Sequence, residues 1–464
     1  MSTDFLPLRT ILKHGRSPEH PVAIMPDGTR TWADLTGDID ALVRELGERD
    51  GQRWILHSSS SYQFLAGLLA VVATESTAIL PPKPKEGILK SCAETADGAL
   101  TDASLEEIPG VAADHHLFLQ EHTGGTDAPE QIEFPYLDAE RPCIEFFTSG
   151  TTGERSTIQK SLAHLEQDTD AEERIWGEQI DDTAFFGTVS QQHIYGILFR
   201  LLWPLCSGKP FHSEMLMYPD DFKEAVETSS RDVVLVTSPS HLKSFVRSGV
   251  PGELKDHIRM VVSGGGSVPK EIAEEVHDQL GFYPHDVFGT TETGGIGWRT
   301  ADEETWHTFN NVETDIDNDG RLLVRSPAVS TSDDWYPTGD LAEQQNGSFV
   351  LRGREDRVVK IADTRISLPE MEELLENDDR VEQAVAVSLE PEDPATERTT
   401  VGMFIKPEED LSDTDTLERD LRDLLTEHFP SVALPKFWRF LEEVPEDQLG
   451  KPQYDELRSQ LDRT

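Results

Sequence analysis

The sequence predicts an α/β protein: a large N-terminal α/β domain that includes a small antiparallel β unit, and a small α+β C-terminal domain. Three observations carry this. Short apolar segments alternate with helical ones from Val22 to Glu292, the pattern of a largely parallel sheet. Between residues 320 and 352 it changes to short strands separated by turn residues, as in an antiparallel unit. A charged stretch then leads into a further set of strands and helices, which places the domains at 1–355 and 356–464.

Composition bounds the class. A chain of 464 residues with 36% hydrophobic residues can bury more than one core. Against 41 Lys+Arg stand 88 Asp+Glu, a formal charge of −47. That sign argues against nucleic acid and against an anionic membrane as partners. The acids run along the whole chain, as in Glu106-Glu107, Asp168 to Glu173, Asp302 to Glu304 and Glu408 to Asp410, and this even spread reads as a solvated surface. A salt-rich cytoplasm would favour such a surface. Cys92, Cys143 and Cys206 are widely spaced and form no CxxC, so neither a disulfide framework nor a zinc site is expected. No signal-peptide pattern follows Met1, and the longest apolar stretch, from Phe64 to Leu80, is broken by Thr74-Glu75-Ser76-Thr77, as in a core helix and strand. A cytoplasmic protein without a membrane span is expected.

Taken in order, a strand over 22–25 turns at Pro26-Asp27-Gly28 into a helix capped by Thr31 or Asp34. A strand over 54–57, an apolar helix over 62–73 and a strand over 78–80 follow, stopped by Pro81-Pro82. Residues 93–140 carry only short strands and loops. A strand over 143–147 then runs into Thr148-Ser149-Gly150-Thr151-Thr152-Gly153, every residue a glycine or hydroxyl-bearing. Such a loop can fold round a phosphate, because glycines expose N–H groups and hydroxyls add donors; alone it also suits a polar surface turn. It is not a Walker loop, since Gly208-Lys209-Pro210 and Gly450-Lys451-Pro452 lack the required Ser/Thr.

An acidic helix to about Gln179 and a strand over 185–189 lead to His193, at a strand end where open α/β sheets bind ligands. Strands over 233–236 and 260–262 follow. The second enters Ser263-Gly264-Gly265-Gly266-Ser267, where a flat ring can lie on bare backbone. Val287-Phe288-Gly289-Thr290-Thr291-Glu292 repeats strand, turn, carboxylate. Beside phosphates Glu292 suits Mg²⁺, and otherwise a helix start. Tyr336-Pro337-Thr338-Gly339-Asp340-Leu341 reads as a constrained turn whose aspartate can accept bonds from a ribose diol. Gly353-Arg354-Glu355-Asp356-Arg357, with Lys360 and Arg365, forms a cationic patch of solvated character. A helix from Pro369, strands over 381–387, 401–405 and 438–440, and a helix over 417–428 complete the second domain. Near its end Gly450 and Pro452 hold Lys451 on a tight loop.

In this order and spacing, TSGTTG at 148–153, FGTTE at 288–292, YPTGDL at 336–341, GREDR at 353–357 and GKPQY at 450–454 resemble the motifs of the adenylate-forming superfamily of acyl-CoA synthetases, luciferase and peptide-synthetase adenylation domains. The resemblance spans nearly the whole chain. It implies that a carboxylic acid substrate attacks ATP to give an acyl-adenylate and pyrophosphate, and that a phosphopantetheine thiol then takes the acyl group. It also implies a mobile C-terminal domain hinged at Asp356. By position, Thr148, Ser149, Gly150, Thr151, Thr152 and Gly153 would grip the β/γ-phosphates, and Gly264, Gly265 and Gly266 would lie along adenine. Thr291 and Glu292 would serve the α-phosphate and Mg²⁺, with Glu292 the metal ligand; His193 joins the catalytic candidates from its place at a strand end. Asp340 and Arg354 would bind ribose, Arg365 joins the nucleotide-binding set, and Lys451 would approach the substrate carboxylate and α-phosphate. A cation there has a physical reason, since a carboxylate and a polyphosphate repel one another.

Two positions depart from the family pattern. Ser156 stands where the glycine loop usually has lysine, leaving Arg155 or Lys160 to substitute, and Asp363 stands where CoA ligases commonly have glycine. The stretch 358–370 is similar to ligases of aryl-polyene and xanthomonadin-type pigment synthesis, which implies an aromatic acid and an acyl carrier protein as acceptor. A CoA ligase for a fatty or aryl acid is the alternative, and a nucleotide-binding protein without turnover is a third.

Overall fold

The computed structural model describes residues 4–49, 52–82, 84, 86–102, 105, 108–112, 115–123, 134–148, 156–229, 231–329, 335–345, 347–361, 364–378, 380–389, 399–408, 414–446 and 452–461. They form two compact units, Met1–Glu313 with Val324–Tyr336, and Thr314–Leu323 with Pro337–Thr464. Among the described residues no helix is long and apolar enough to cross a membrane, and Cys92, Cys143 and Cys206 are buried and form no disulfide.

In the first unit the alternating pattern folds into two mainly parallel sheets, as expected. The larger has the order His307–Thr308, Gly294–Thr300, His285–Thr290, Ile258–Gly264, Asp232–Thr237, Thr183–Gly187, Phe211–His212, Pro21–Met25, Gly28–Thr31. Its inner pairs are parallel and its edges antiparallel. Inner parallel strands are covered on both faces, which is why Val233, Val234, Leu235 and Val236 form an unbroken buried run. The smaller sheet has the order His116–Phe118, Gly98–Thr101, Arg53–His57, Thr77–Leu80, Pro142–Thr148, Ser156–Ser161, antiparallel only in its last pair. Both cap candidates of helix Trp32–Gly47 are used: the Thr31 hydroxyl accepts from Asp34 N, and the Asp34 carboxylate accepts from Thr31 N at 2.7 Å.

Helix Leu162–Trp176 departs from the solvated reading of its acids. Glu166, Asp168, Glu172 and Glu173 are all buried. They are buried because this helix has packed surface on more than one side. Glu166 accepts from Arg9 Nε at 2.6 Å, Glu173 accepts from Ser207 Oγ at 2.7 Å and Trp203 Nε1 at 3.1 Å, and Asp168 accepts from Gly295 N at 2.9 Å. A second helix, Ile194–Gly196, continues as a π-helical segment, Ile197–Leu202, into Trp203–Ser207. Pro204 lacks an N–H and its ring would crowd the carbonyl four residues back, so the wider turn is a local answer to proline.

A separate sheet has the order Glu313–Ile316, Arg321–Arg325, Tyr336–Gln345, Ser348–Arg354, its last pair antiparallel, where the sequence reads as a small antiparallel unit. One element differs: the YPTGDL segment is extended strand, not a turn. Cross-strand pairing with Ser348–Arg354 overrides the local turn preference of Pro337 and Gly339, and Thr338 Oγ1 fastens the strand to Leu322 O at 3.0 Å. Arg357 is likewise not solvated. It is buried, donates to Ala386 O at 2.8 Å, pairs with Glu372 and lies over the Tyr454 ring. The sheet Val381–Leu389, Thr400–Pro407, Phe437–Phe440 is buried on both faces. Ala384 and Ala386 join the core with Met371, Leu421 and Leu425, while Val385, Val387 and Leu389 join Leu457 and Leu461.

Candidate active site

Strands Pro142–Thr148 and Ser156–Ser161 pair with Thr148 opposite Ser156, and the segment joining them holds the glycine loop. Ser149, Gly150, Thr151, Thr152, Gly153 and Arg155 lie outside the described residues, and only the backbone of Thr148 is described. Lys160 does not replace the missing loop lysine. Its side chain is 1% exposed, and Nζ donates to Glu292 O at 2.8 Å and to Ala328 O at 2.6 Å. Burial lowers its pKa to about 8, against the pull of Asp168 and Glu292, so it stays an ammonium at neutral pH.

That ammonium holds the turn between strands His285–Thr290 and Gly294–Thr300. The turn is locked by reciprocal bonds: Thr290 N donates to Thr293 Oγ1, Thr293 N donates to Thr290 Oγ1, and the two hydroxyls are 3.0 Å apart. Thr291 and Glu292 stand half-buried at its tip, so Glu292 belongs to a hairpin and starts no helix. Its carboxylate makes no hydrogen bond or ion pair among the described residues, which leaves two hard oxygen donors for a cation. Among the described residues no group of three or more His, Cys, Asp or Glu forms a metal cage. One free carboxylate without a cage fits Mg²⁺ held jointly with phosphate oxygens.

Strand Ile258–Gly264 ends at the glycine run. A side chain at Gly264 would strike the Tyr195 ring, whose Cε2 would lie 2.5 Å from the added carbon, and Gly265 has φ +91°. Bare backbone is therefore required here. Gly266 follows with space around it. His193 immediately precedes helix Ile194–Gly196 and is half-buried; Ile194 and Tyr195, not His193, line the adjoining cavity.

The cavity holds about 470 Å³ of empty space, open solvent included. Ile194, Tyr195, Leu198, Phe199, Val287 and Phe309 form apolar walls, and Gly265, Gly289, Thr290 and Gly295 supply backbone. Asp168, Ala171 and Glu172 close it from helix Leu162–Trp176. Burial raises the Asp168 carboxyl to about 7 against the Gly295 N–H and Lys160, and pushes Glu172 well up, with Asp168 and Glu173 adding to the effect. Sequence reasoning missed Lys160, Asp168 and Glu172 in these roles. For the two acids the signal was the helical face of Leu165, Asp168, Glu172 and Trp176, at spacings of three and four.

In the second unit Asp340 and Arg354 face one another across strands Tyr336–Gln345 and Ser348–Arg354, with Arg354 Nη1 3.5 Å from Asp340 Oδ1. Asp340 is buried and Arg354 half-exposed. Arg365 lies on strand Thr364–Ser367 opposite Lys360, with only its backbone described; Asp356 sits in the short 3₁₀ turn Glu355–Arg357 under the same limit. Lys451 and Asp363 lie outside the described residues.

The family model for AMP-binding enzymes matches residues 13–323, more than half of the chain, and the model for the AMP-binding enzyme C-terminal domain matches 370–451. The chain belongs to the AMP-binding enzyme family. As a member of that superfamily it is an adenylate-forming ligase that binds ATP. It is 26% identical over 310 residues to a 4-coumarate–CoA ligase of Cereibacter sphaeroides, covering 66% of this chain and 69% of the relative. Over 387 residues it is 24% identical to a 3-hydroxybenzoate–CoA/4-hydroxybenzoate–CoA ligase of Thauera aromatica, covering 73% and 72%. ATP-bound MatB from Rhodopseudomonas palustris superposes with a TM-score of 0.83 at 18% identity over 97% of this chain and 98% of that one, a likeness of fold.

Proposed function

We propose that this AMP-binding enzyme activates a small aromatic carboxylic acid with ATP and passes the acyl group to a phosphopantetheine thiol. The acid's carboxylate oxygen bonds to the α-phosphorus as the α–β phosphate bond breaks, giving acyl-adenylate and pyrophosphate. The thiol sulfur then bonds to the acyl carbon, its proton leaves, and AMP departs. The observation that carries the acid class is the cavity itself. Its walls are apolar and aromatic, and part of its lining is glycine backbone, a surface on which a flat ring can lie. Thr290 lines it next to Thr291 and Glu292, so an acid there is adjacent to the proposed phosphate-binding turn.

The residue roles belong to the same proposal. Thr148 to Gly153 hold the β/γ-phosphates, Gly264 to Gly266 lie along adenine, Asp340 accepts from ribose hydroxyls, and Arg354 and Arg365 face the nucleotide. Glu292 would hold Mg²⁺, which when bound neutralises charge on the phosphates. Lys451, in a hinged domain 356–464, offsets the repulsion between carboxylate and phosphate, and Thr291 and His193 flank the reacting groups. The similarity of 358–370 to carrier-protein ligases favours an acyl carrier protein as acceptor. The names of the relatives favour CoA as the second reading.

ATP–pyrophosphate exchange across benzoates, cinnamates and fatty acids, at low and high KCl, tests the first step. Exchange with ring acids is expected, and exchange with long-chain acids alone would overturn the acid class. Thioester formation with CoA but with no holo-carrier protein would overturn the carrier reading.

A further inference from the structure

Helix Leu162–Trp176 carries four buried acids, and three of them are satisfied within the protein: Glu166 by Arg9, Asp168 by Gly295, and Glu173 by Trp203 and Ser207. Glu172 is the exception. It is 2% exposed, lines the cavity, and makes no hydrogen bond among the described residues; its Oε2 is buried without a partner. The neighbouring hydroxyl does not serve it, since Tyr195 donates to Val262 O at 2.9 Å. A buried carboxyl without a partner is costly, and on a helix where its neighbours are all paired, the missing partner is a group that enters the cavity.

We infer that Glu172 is a specificity-determining residue, and that the acid it selects carries, besides the carboxylate to be activated, an O–H or N–H donor that bonds to Glu172. This rests on the adenylation reading above. A hydroxyl both donates to and accepts from a carboxyl, and an amino group donates to it. Unsubstituted ring acids would leave Glu172 as unpaired as it is without ligand, and a site built to bond a donor rejects analogues that lack one.

The test is pyrophosphate exchange with benzoate, hydroxybenzoates and aminobenzoates, on the wild type, Glu172→Gln and Glu172→Leu. The wild type should prefer donor-bearing acids over benzoate by about 10- to 100-fold in kcat/KM. Glu172→Leu should erase that ratio, and Glu172→Gln should retain part of it. An unchanged ratio in a folded Glu172→Leu protein would overturn the inference. So would a wild type that prefers benzoate, a result that needs no variant to fold. Absence of exchange with every acid would sink the adenylation reading instead, and the two failures are distinct.

Discussion

Replacing Lys160 with methionine tests the claim that one buried ammonium organises the Glu292 turn. Methionine keeps the length and apolar stem and removes the charge. Two carbonyls, Glu292 O and Ala328 O, lose a charged donor now at 2.8 and 2.6 Å, and Asp168 loses its nearby cation. Hydrogen bonds to a charged group contribute about 1.5–3 kcal/mol each, so the loss is about 3–6 kcal/mol. The relief of no longer burying an ammonium places the outcome nearer the lower figure. For a unit of this size that corresponds to a fall in Tm of roughly 4–9 °C. With its carbonyl released, Glu292 should also lose its fixed position, and pyrophosphate exchange should fall about 10- to 100-fold. Calorimetry and exchange measure the two effects. Lys209→Met is the control, because its pair with Asp181 has an exposed carboxylate and should change little. A Lys160→Met protein with wild-type Tm and wild-type exchange would refute the reasoning.

Asp168→Asn should become the more stable protein as pH rises. Burial raises the folded Asp168 pKa from 3.8 to about 7, so between those values the folded state holds the extra proton and wild-type stability falls with rising pH. Asparagine keeps an acceptor for Gly295 N without titrating. The gap in urea unfolding between variant and wild type should widen from pH 4 to 7 by up to about 1.4 kcal/mol per pH unit, and a constant gap contradicts this. Lys451→Ala should cut exchange at least about 100-fold with ATP binding retained, as measured by calorimetric titration; near-normal exchange would remove Lys451 from the chemistry. The charge of −47 should make stability depend on KCl, because screening shortens from about 10 Å at 0.1 M to about 3 Å at 1 M. Tm should rise across that range, and full stability and activity in low salt would sink the salt-adapted reading.

What was legible in the sequence follows the range of the forces involved. Strand and helix alternation is local, and so is the Thr31–Asp34 cap; both fold as read. Three readings failed where tertiary contact outweighed local preference. The YPTGDL segment has the residues of a turn, yet its pairing with Ser348–Arg354 makes it strand. Arg357 sits in a charged run, yet Glu372, Ala386 and Tyr454 surround it. The acids of 166–173 look solvated because charge runs usually are, and only the partners brought from Arg9, Trp203, Ser207 and Gly295 reveal otherwise. Lys160 was misread for the same reason, since a lysine is seldom buried and its acceptors are 132 and 168 residues away.

Those long-range contacts converge on one stretch of chain. Strand Pro142–Thr148 leads to the proposed phosphate loop, strand Ser156–Ser161 returns with Lys160, and helix Leu162–Trp176 follows at once with Asp168 and Glu172. Lys160 grips the Glu292 carbonyl on one side of the hairpin turn, and Asp168 grips the Gly295 N–H on the other. The turn is thus clamped at both shoulders by consecutive elements, and the cavity lies under the same helix. A substrate bonded to Glu172 would pull on the helix one turn beyond Asp168, the residue that fixes Gly295. In this arrangement the acid's donor group and the position of Glu292 are linked through a single rigid helix, capped by Ser161 and packed by Trp176. Selection of the acid and alignment of its phosphate-side partner would then be one mechanical event. This is why the effects of Glu172 and Lys160 substitutions on exchange should be non-additive, with the double variant losing less than the product of the single losses.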